Sequence, residues 1–274
     1  MKAEKGNYIP KRVLGVHPHK DDIEGQSSGT LYRWASAGSK IKLITTVLSK
    51  KDIEEGGAGK SKACKWEQKA GEALGYEVDF WDAGPLTCQQ YADRELTLYI
   101  CRQIREFKPE IVLCMPPYEQ HADHVMCYAA TFKAVLMARC PFDFDAGSEN
   151  LMREEEPGVK EILEETEAHA VKEIWIQPGA PSQNMWRITP NHYEDVSDIW
   201  EKKISIFSLA TEDLDLRYLT DISEYSALID GKASGVKYAE AFLRIPIVKK
   251  MALAADYDAW RKKTKGKSYM DFNN

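Results

Sequence analysis

Short apolar runs alternate with amphipathic segments along the first half of the chain. Four runs are typical of strands, namely Arg12–Val16, Ile41–Leu48, Val78–Trp81 and Glu110–Met115. The segments between them have helical spacing of apolar positions, and they are Gly29–Ala35, Lys62–Leu74 and Arg94–Phe107. Because strands that alternate with helices form a parallel sheet covered on both faces, this order predicts a doubly wound α/β fold.

The fourth run indicates where a site would lie. It is apolar almost throughout, as a strand covered on both faces must be, and Pro116 and Pro117 end it. If the strand order is the common 3-2-1-4, the first and fourth strands are neighbours. The loops that follow them then face each other at the switch point of the sheet, where open α/β sheets bind ligands.

The remaining segments complete a single α/β domain with a mostly parallel, Rossmann-like sheet. Lys172–Ile176 is expected to be a fifth strand, and the glycine-rich stretch 50–60 a mobile loop. The acidic stretch 142–166 is interpreted as a solvated helix face. We assign residues 1–274 to one domain, with a core over about 10–245 and a polar tail over 251–274.

Charge and composition narrow the possible partners. The formal net charge of -6 provides no basic surface for nucleic acid or an anionic membrane, so a small molecule or another protein is the expected partner. The start of the chain, Met1–Arg12, lacks the apolar core of a signal peptide, and no later run is apolar enough to span a bilayer. We therefore expect a cytoplasmic protein. Its six cysteines form no CxxC pair and are interpreted as reduced thiols.

Two loops carry the residue types of a metal site. The first, His17–Glu24, places His19 and Asp22 three residues apart, so that one turn of backbone can direct both at one ion. Asp21 diverges from them and stays available for proton transfer. In the second loop His121 and His124 have the same spacing, and one can bind a metal while the other acts on a substrate.

This set suits hydrolysis. Two histidines and one carboxylate with an open position are typical of a catalytic zinc that holds a water, and a nearby carboxylate base completes a hydrolytic site. The other histidines lack an acidic or histidine partner at ligand spacing and are interpreted as structural; they are His17, His169 and His192.

At these residues the chain resembles the N-acetylglucosaminyl deacetylases named after the LmbE and PIG-L proteins. The family signature Pro-His-Pro-Asp-Asp, followed by Gly-Gly-Thr-Leu, is matched by 18–22 and 28–31 without a gap. The second signature, His-x-Asp-His, is matched by 121–124, and a late Ala-Glu-Ala-Phe by 239–242. These matches extend over roughly residues 10–245.

The resemblance implies a role for each site residue. His19, Asp22 and His124 would be the zinc ligands, with Fe2+ as another possible divalent metal, and Asp21 the general base that takes a proton from water. His121 would stabilise the oxyanion or protonate the departing amine. Asp123 would orient a histidine, though which one stays open. The implied substrate is a small N-acetylglucosamine-type sugar or conjugate, and a homo-oligomer is expected on the resemblance alone.

Three departures from the family pattern concern the site. Lys20 replaces the usual proline of the first loop, His17–Glu24, which we call the metal loop. The replacement removes a fixed φ from this loop and adds a cation near the candidate ligands. Ser28 replaces the first glycine of the Gly-Gly pair. An arginine often found on the second helix has no clear counterpart in 62–66.

Other functions remain open at this point. The same metal site would serve a hydrolase of another amide or ester. A noncatalytic carbohydrate- or metal-binding relative is less consistent with the retained Asp21, because a pure binding site needs no unligated carboxylate. A Rossmann nucleotide-binding protein is disfavoured, because the first turn lacks G-x-G-x-x-G and presents carboxylates to a pyrophosphate.

Overall fold

The computed structural model describes residues 8–81, 93–139, 162, 165–179, 187–213 and 217–247. Its strands are β1 (Arg12–His17), β2 (Lys40–Thr45), β3 (Glu77–Phe80), β4 (Ile111–Cys114), β5 (Glu173–Ile176), β6 (His192–Asp195) and β7 (Ala239–Pro246). Its helices are α1 (Asp22–Ser36), α2 (Lys50–Glu54), α3 (Lys62–Leu74), α4 (Asp93–Phe107), α5 (Ala122–Ala138), α6 (Trp200–Asp213) and α7 (Tyr218–Ser234).

The strands form one seven-stranded sheet in the order β3-β2-β1-β4-β5-β7-β6. The first five pair in parallel, whereas β7 runs antiparallel to both β5 and β6. The predicted order 3-2-1-4 and the mostly parallel α/β fold are therefore confirmed. β1 and β4 are direct neighbours, with Val13 opposite Ile111 and Val16 opposite Cys114.

Alternation of side chains along the central strands divides the core between the two faces of the sheet. Leu14 and Val16 of β1 pack with Ile100 and Ile104 of α4 on one face. Val13 packs on the other face with a cluster that includes Trp34 of α1. Because both faces of β1 and β4 are covered, these two strands are apolar and buried in nearly every position, which is why the sequence pattern showed them.

Element boundaries differ from expectation in two places. α1 begins at Asp22 rather than Gly29, so the metal loop leads directly into the helix. The stretch 50–60 was expected to be a loop, and this was wrong for its first part, which forms α2. Ser49 and Asp52 make a reciprocal capping box at its start, which gives a short helix two of the backbone partners it would otherwise lack.

The late Ala-Glu-Ala-Phe motif anchors α1 to the sheet. Glu240 of β7 is 2% exposed and accepts hydrogen bonds from the backbone N–H groups of Gly29 (2.9 Å) and Thr30 (2.7 Å). The buried Lys203 ammonium of α6 also donates to it at 2.7 Å. A Cβ on Gly29 would lie 2.9 Å from both Glu240 Oε1 and a Val196 methyl, so only glycine permits this approach.

Several sequence interpretations fall partly or wholly outside the described residues. Most of the acidic stretch 142–166 and the whole tail 251–274 lie there. Within the described part of the chain, no helix combines the length and apolarity needed to cross a bilayer. The cysteines described are buried thiols, namely Cys64, Cys101, Cys114 and Cys127.

We predict that Glu240→Ala lowers the free energy of unfolding by roughly 3–5 kcal/mol, because it leaves the buried Lys203 ammonium without its partner. The side chains of this pair are each 1% exposed. Urea denaturation of the variant and of the unsubstituted protein measures the difference.

Glu54→Ala is the matched control, since Lys50 and Glu54 form an ion pair of 3.8 Å at the surface, and their side chains are 87% and 65% exposed. The control should change stability by less than about 1 kcal/mol. Equal effects of the two substitutions would contradict the anchoring role of Glu240.

Candidate metal centre

The loops after β1 and β4 meet at the carboxyl edge of the sheet. His19 lies in the first loop and His124 in the first turn of α5, which begins directly after the second. Although 105 positions separate the two residues in sequence, His19 Nδ1 and His124 Nε2 are 3.2 Å apart. The pairing of β1 with β4 therefore creates the site that the switch-point argument predicted.

Asp22 completes a compact set of three candidate ligand residues. Its Oδ2 lies 3.5 Å from His19 Nδ1, and its Oδ1 lies 3.2 Å from His124 Nε2. A tetrahedral ion with bonds of about 2.0–2.1 Å separates its ligands by roughly 3.3–3.4 Å. The separations of 3.2–3.5 Å match that spacing, so these residues fit a zinc ion.

Carboxylates contact the outer nitrogens of both imidazoles. Glu119 forms a hydrogen bond with His124 Nδ1, which leaves the lone pair of Nε2 directed at the ligand set. Asp123 Oδ2 lies 3.4 Å from His19 Nε2 and 4.0 Å from His121 Nδ1, so His19 is the histidine that it orients more closely. Such partners fix the tautomer and the ring direction of a metal-binding histidine.

Sequence reasoning missed the contact of Glu119. The available signal was a carboxylate within the same short loop as a candidate ligand.

Asp21 stands beside the ligand set without belonging to it. It is the N-cap residue of α1 but makes no side-chain capping hydrogen bond, and it lines the same cavity as His19. Burial, together with repulsion from Asp22, raises the pKa of Asp21 to about 6. A carboxyl with a pKa near neutrality can take and return a proton.

His121 lies at the exposed edge of the centre, with 53% of its side chain exposed. Its Nδ1 accepts a hydrogen bond from the backbone N–H of Asp123 at 3.3 Å, so the neutral ring carries its proton on Nε2. The ring centroids of His121 and His19 are 4.5 Å apart. One nitrogen of His121 also lies within 4.8 Å of nitrogens of His19 and His124, which makes it a geometric alternative to Asp22 as third ligand.

The electrostatics favour a cation between the two ring nitrogens. Burial opposes protonation of both rings, but the attraction of Asp22, assisted by Asp123 at His19 and by Glu119 at His124, raises the pKa of each to about 10. Positive charge is thus stabilised where the ligand atoms converge, and a divalent ion would take the place of those protons.

The other three histidines lie apart from these ligand atoms. His17 is buried and contacts the carbonyl of His19 through Nδ1 at 2.6 Å, while burial lowers its pKa to about 4. His169 contacts the Pro109 carbonyl and His192 contacts Glu194. The contacts of His169 and His192 are those of hydrogen-bonded structural residues. The expectation that His17 has no acidic partner at ligand spacing was wrong, because its Nε2 lies 3.5 Å from Glu67 Oε1 and it forms a second buried cluster with Glu24 and Glu67.

A cavity of about 200 Å³ opens beside the centre. His19, Lys20 and Asp21 line it on the side of the metal loop, and the rest of its wall comes from α2, from the start of α3 and from the loops before these helices. Lys20, Lys62 and Trp66 belong to this wall. It is the space next to the ligand atoms in which a substrate can lie.

Comparison with known proteins agrees with this geometry. Residues 14–135 match the model of the family described as "PIG-L: GlcNAc-PI de-N-acetylase". The diacetylchitobiose deacetylase of Thermococcus kodakarensis is 28% identical, over 86% of this chain and 84% of that protein.

Solved structures show the same fold. The N,N'-diacetylchitobiose deacetylase of Pyrococcus horikoshii superposes with a TM-score of 0.66 at 18% identity, over 86% of this chain and 84% of its own. The 4-carboxy-2-hydroxymuconate hydratase of Pseudomonas putida gives 0.63 at 18% identity, over 88% and 98%. The resemblance to the PIG-L (LmbE-like) family that the sequence signatures indicated is therefore confirmed by the family match over residues 14–135.

Proposed function

We propose that this protein is a zinc-dependent hydrolase that removes the acetyl group from an N-acetylglucosamine-type sugar or sugar conjugate. One observation carries the proposal. His19 Nδ1, His124 Nε2 and the Asp22 carboxylate lie 3.2–3.5 Å from one another, with the carboxyl of Asp21 beside them at the end of a cavity. A metal-dependent amide hydrolase requires residues that bind the metal and a separate general base.

Asp22 is preferred to His121 as third ligand. Its two oxygens face the two ring nitrogens directly, whereas Nδ1 of His121 is engaged with the Asp123 backbone. This leaves the Nε2–H of His121 for the substrate.

The residues of the chain divide the reaction between them. Zinc bound by the three ligands would supply a Lewis acid that lowers the pKa of water and polarises a carbonyl. Asp21 accepts the proton of the attacking water, for which its pKa of about 6 suits it at neutral pH. His121 donates from Nε2 to the oxygen on which negative charge develops, and its partial exposure lets it exchange protons with solvent. Asp21 then returns its proton to the departing amine nitrogen.

The sugar substrate is supported by the relatives rather than by a readable code in the cavity. The similar protein of Thermococcus kodakarensis is a diacetylchitobiose deacetylase, and the matching family is described as a GlcNAc-PI de-N-acetylase. A cavity of about 200 Å³ is smaller than the roughly 300–1,000 Å³ of pockets for drug-sized ligands, which suits a single ring near the metal.

Acetate release tests the proposal directly. The zinc-loaded protein is incubated with N-acetylglucosamine and with N,N'-diacetylchitobiose, and acetate is measured with and without a chelator. We expect release from at least one compound, its loss with the chelator and its recovery on readdition of zinc. Absence of acetate from both compounds, with stoichiometric zinc shown by elemental analysis, would overturn the deacetylase proposal.

Substitution of the two adjacent aspartates separates the base from the ligand. Asp21→Asn should retain stoichiometric zinc and lose roughly 10²–10⁴-fold in kcat, because it removes only the general base. Asp22→Asn should lose zinc, because it removes a ligand. Zinc titration and kcat are measured on both variants. Retention of zinc by Asp22→Asn together with its loss in His121→Ala would instead assign the metal to the three histidines.

Glu119→Gln should weaken zinc binding by about 10–100-fold, because the hydrogen bond that fixes the His124 ring loses its charge. Competition with a chromophoric chelator measures this affinity. Glu106→Gln is the matched control, since Glu106 pairs with Arg102 on the surface of α4. If both variants bind zinc as the unsubstituted protein does, Glu119 does not support the centre.

A further inference from the structure

Lys20 lies between the two metal-site aspartates and His19 in sequence, yet its ammonium is directed to another part of the fold. Lys20 Nζ lies 2.7 Å from Asp52 Oδ2 and 3.4 Å from the Val47 carbonyl. The side chains of Lys20 and Asp52 are only 11% and 3% exposed. The cation is therefore paired inside the protein.

Asp52 joins three elements through its two oxygens. Besides Lys20, it accepts the backbone N–H (2.7 Å) and the hydroxyl (2.6 Å) of Ser49, the N-cap of α2. It also accepts the hydroxyl of Ser61, the N-cap of α3, at 2.5 Å. Burial alone would raise the pKa of Asp52, but these donors, Lys20 foremost, hold it below its ordinary value. The ionised carboxylate thus connects the starts of α2 and α3 to the metal loop.

The metal loop and the pair of helices α2 and α3 are each also held by hydrogen bonds of their own. The metal loop is held by the His19 N–H bond to Asp22 (2.7 Å) and by the bond between Val47 N–H and the Pro18 carbonyl (3.0 Å). α2 and α3 are held to each other through Asp52 and Ser61. The Lys20 ammonium joins the loop of His19 and Asp21 to this wall through Asp52 and, more weakly, through the Val47 carbonyl.

We propose that the Lys20–Asp52 ion pair positions the α2–α3 wall of the cavity relative to the metal loop and so determines how tightly the site holds the substrate ring. Lys20 is then a positioning residue rather than a catalytic one. This inference rests on the proposed deacetylase function. A wall set at the wrong distance weakens contacts to the ring without altering Asp21 or the ligand atoms, so the effect falls on binding.

The test replaces the ammonium while keeping the length of the side chain. Lys20→Met should raise KM for the N-acetylated sugar roughly tenfold and leave kcat and zinc affinity within about twofold. Asp52→Asn should raise KM at least as much, since Asp52 also binds Ser49 and Ser61. The double variant should match Asp52→Asn rather than the product of the two effects, because Lys20 acts through Asp52. Lys20→Arg, which keeps the charge, should restore most of the affinity.

The Lys42–Asp79 ion pair provides a control for the general effect of replacing a paired lysine. Lys42 Nζ lies 3.0 Å from Asp79 across β2 and β3, and neither residue lines the cavity. Lys42→Met should leave KM unchanged. A purely structural role for Lys20 would lower the melting temperature of Lys20→Met with no change in KM, and this result would overturn the inference while the deacetylase proposal stands.

Hydrogen exchange gives a readout that does not depend on activity. Backbone amides of residues 49–61 should exchange faster in Lys20→Met than in the unsubstituted protein, and Lys42→Met should not show this. If the unsubstituted protein releases no acetate, the proposed deacetylase function fails. Hydrogen exchange then still tests whether Lys20 positions the α2–α3 wall. Unchanged exchange in Lys20→Met would overturn it.

Discussion

Parallel pairing of β1 with β4 is the constraint on which the candidate centre depends. It joins His19 to His124 across 105 positions of sequence. A one-residue slip of this register would turn the apolar side chains of either strand away from the cluster that receives them and would shift one loop relative to the other. The four-residue alignment of Val13–Val16 with Ile111–Cys114 therefore fixes the core and the ligand geometry together.

Two buried carboxyl groups, those of Glu24 and Glu67, lie near the candidate metal centre, and their protonation limits the negative charge there. Directly after the metal loop, Glu24 of α1 lies close to Glu67 of α3 and to the buried His17. Burial and mutual repulsion raise the pKa of Glu24, and burial raises that of Glu67 to about 8. These two groups therefore hold protons more readily than ordinary carboxyls, and Tyr76 and Thr45 donate hydrogen bonds to them. Although burial opposes its ionisation, attraction to His124 and His19 holds the pKa of Asp22 well below its ordinary value.

The fold supports more than one kind of chemistry. Deacetylases and a hydratase superpose on this chain with similar TM-scores. Their common sheet determines where a site lies, at the carboxyl edge next to the switch point. The features that support amide hydrolysis here are local: the carboxyl of Asp21 beside three candidate ligands, and an exposed imidazole of His121 with its proton on Nε2. Lys20 shows how the wall of the cavity beside the centre can be set by residues outside the reacting atoms.

Local pattern was sufficient for much of this protein. Buried parallel strands are apolar at successive positions, so β1, β2 and β4 were visible in the sequence. Spacing within each loop selected His19, Asp22 and His124 as candidate ligands, and the fold places these three residues together. The sequence could not show partners that depend on contacts across elements. Glu119 had no assigned contact until the fold placed it against His124. The ammonium of Lys20 was expected near the metal site, and the fold pairs it with Asp52. The same holds for Glu240, whose bonds to Gly29 and Thr30 span more than 200 positions. Periodicity and loop spacing report which face a residue occupies and which neighbours it has along the chain, whereas the direction of a long charged side chain is decided by the packed elements around it.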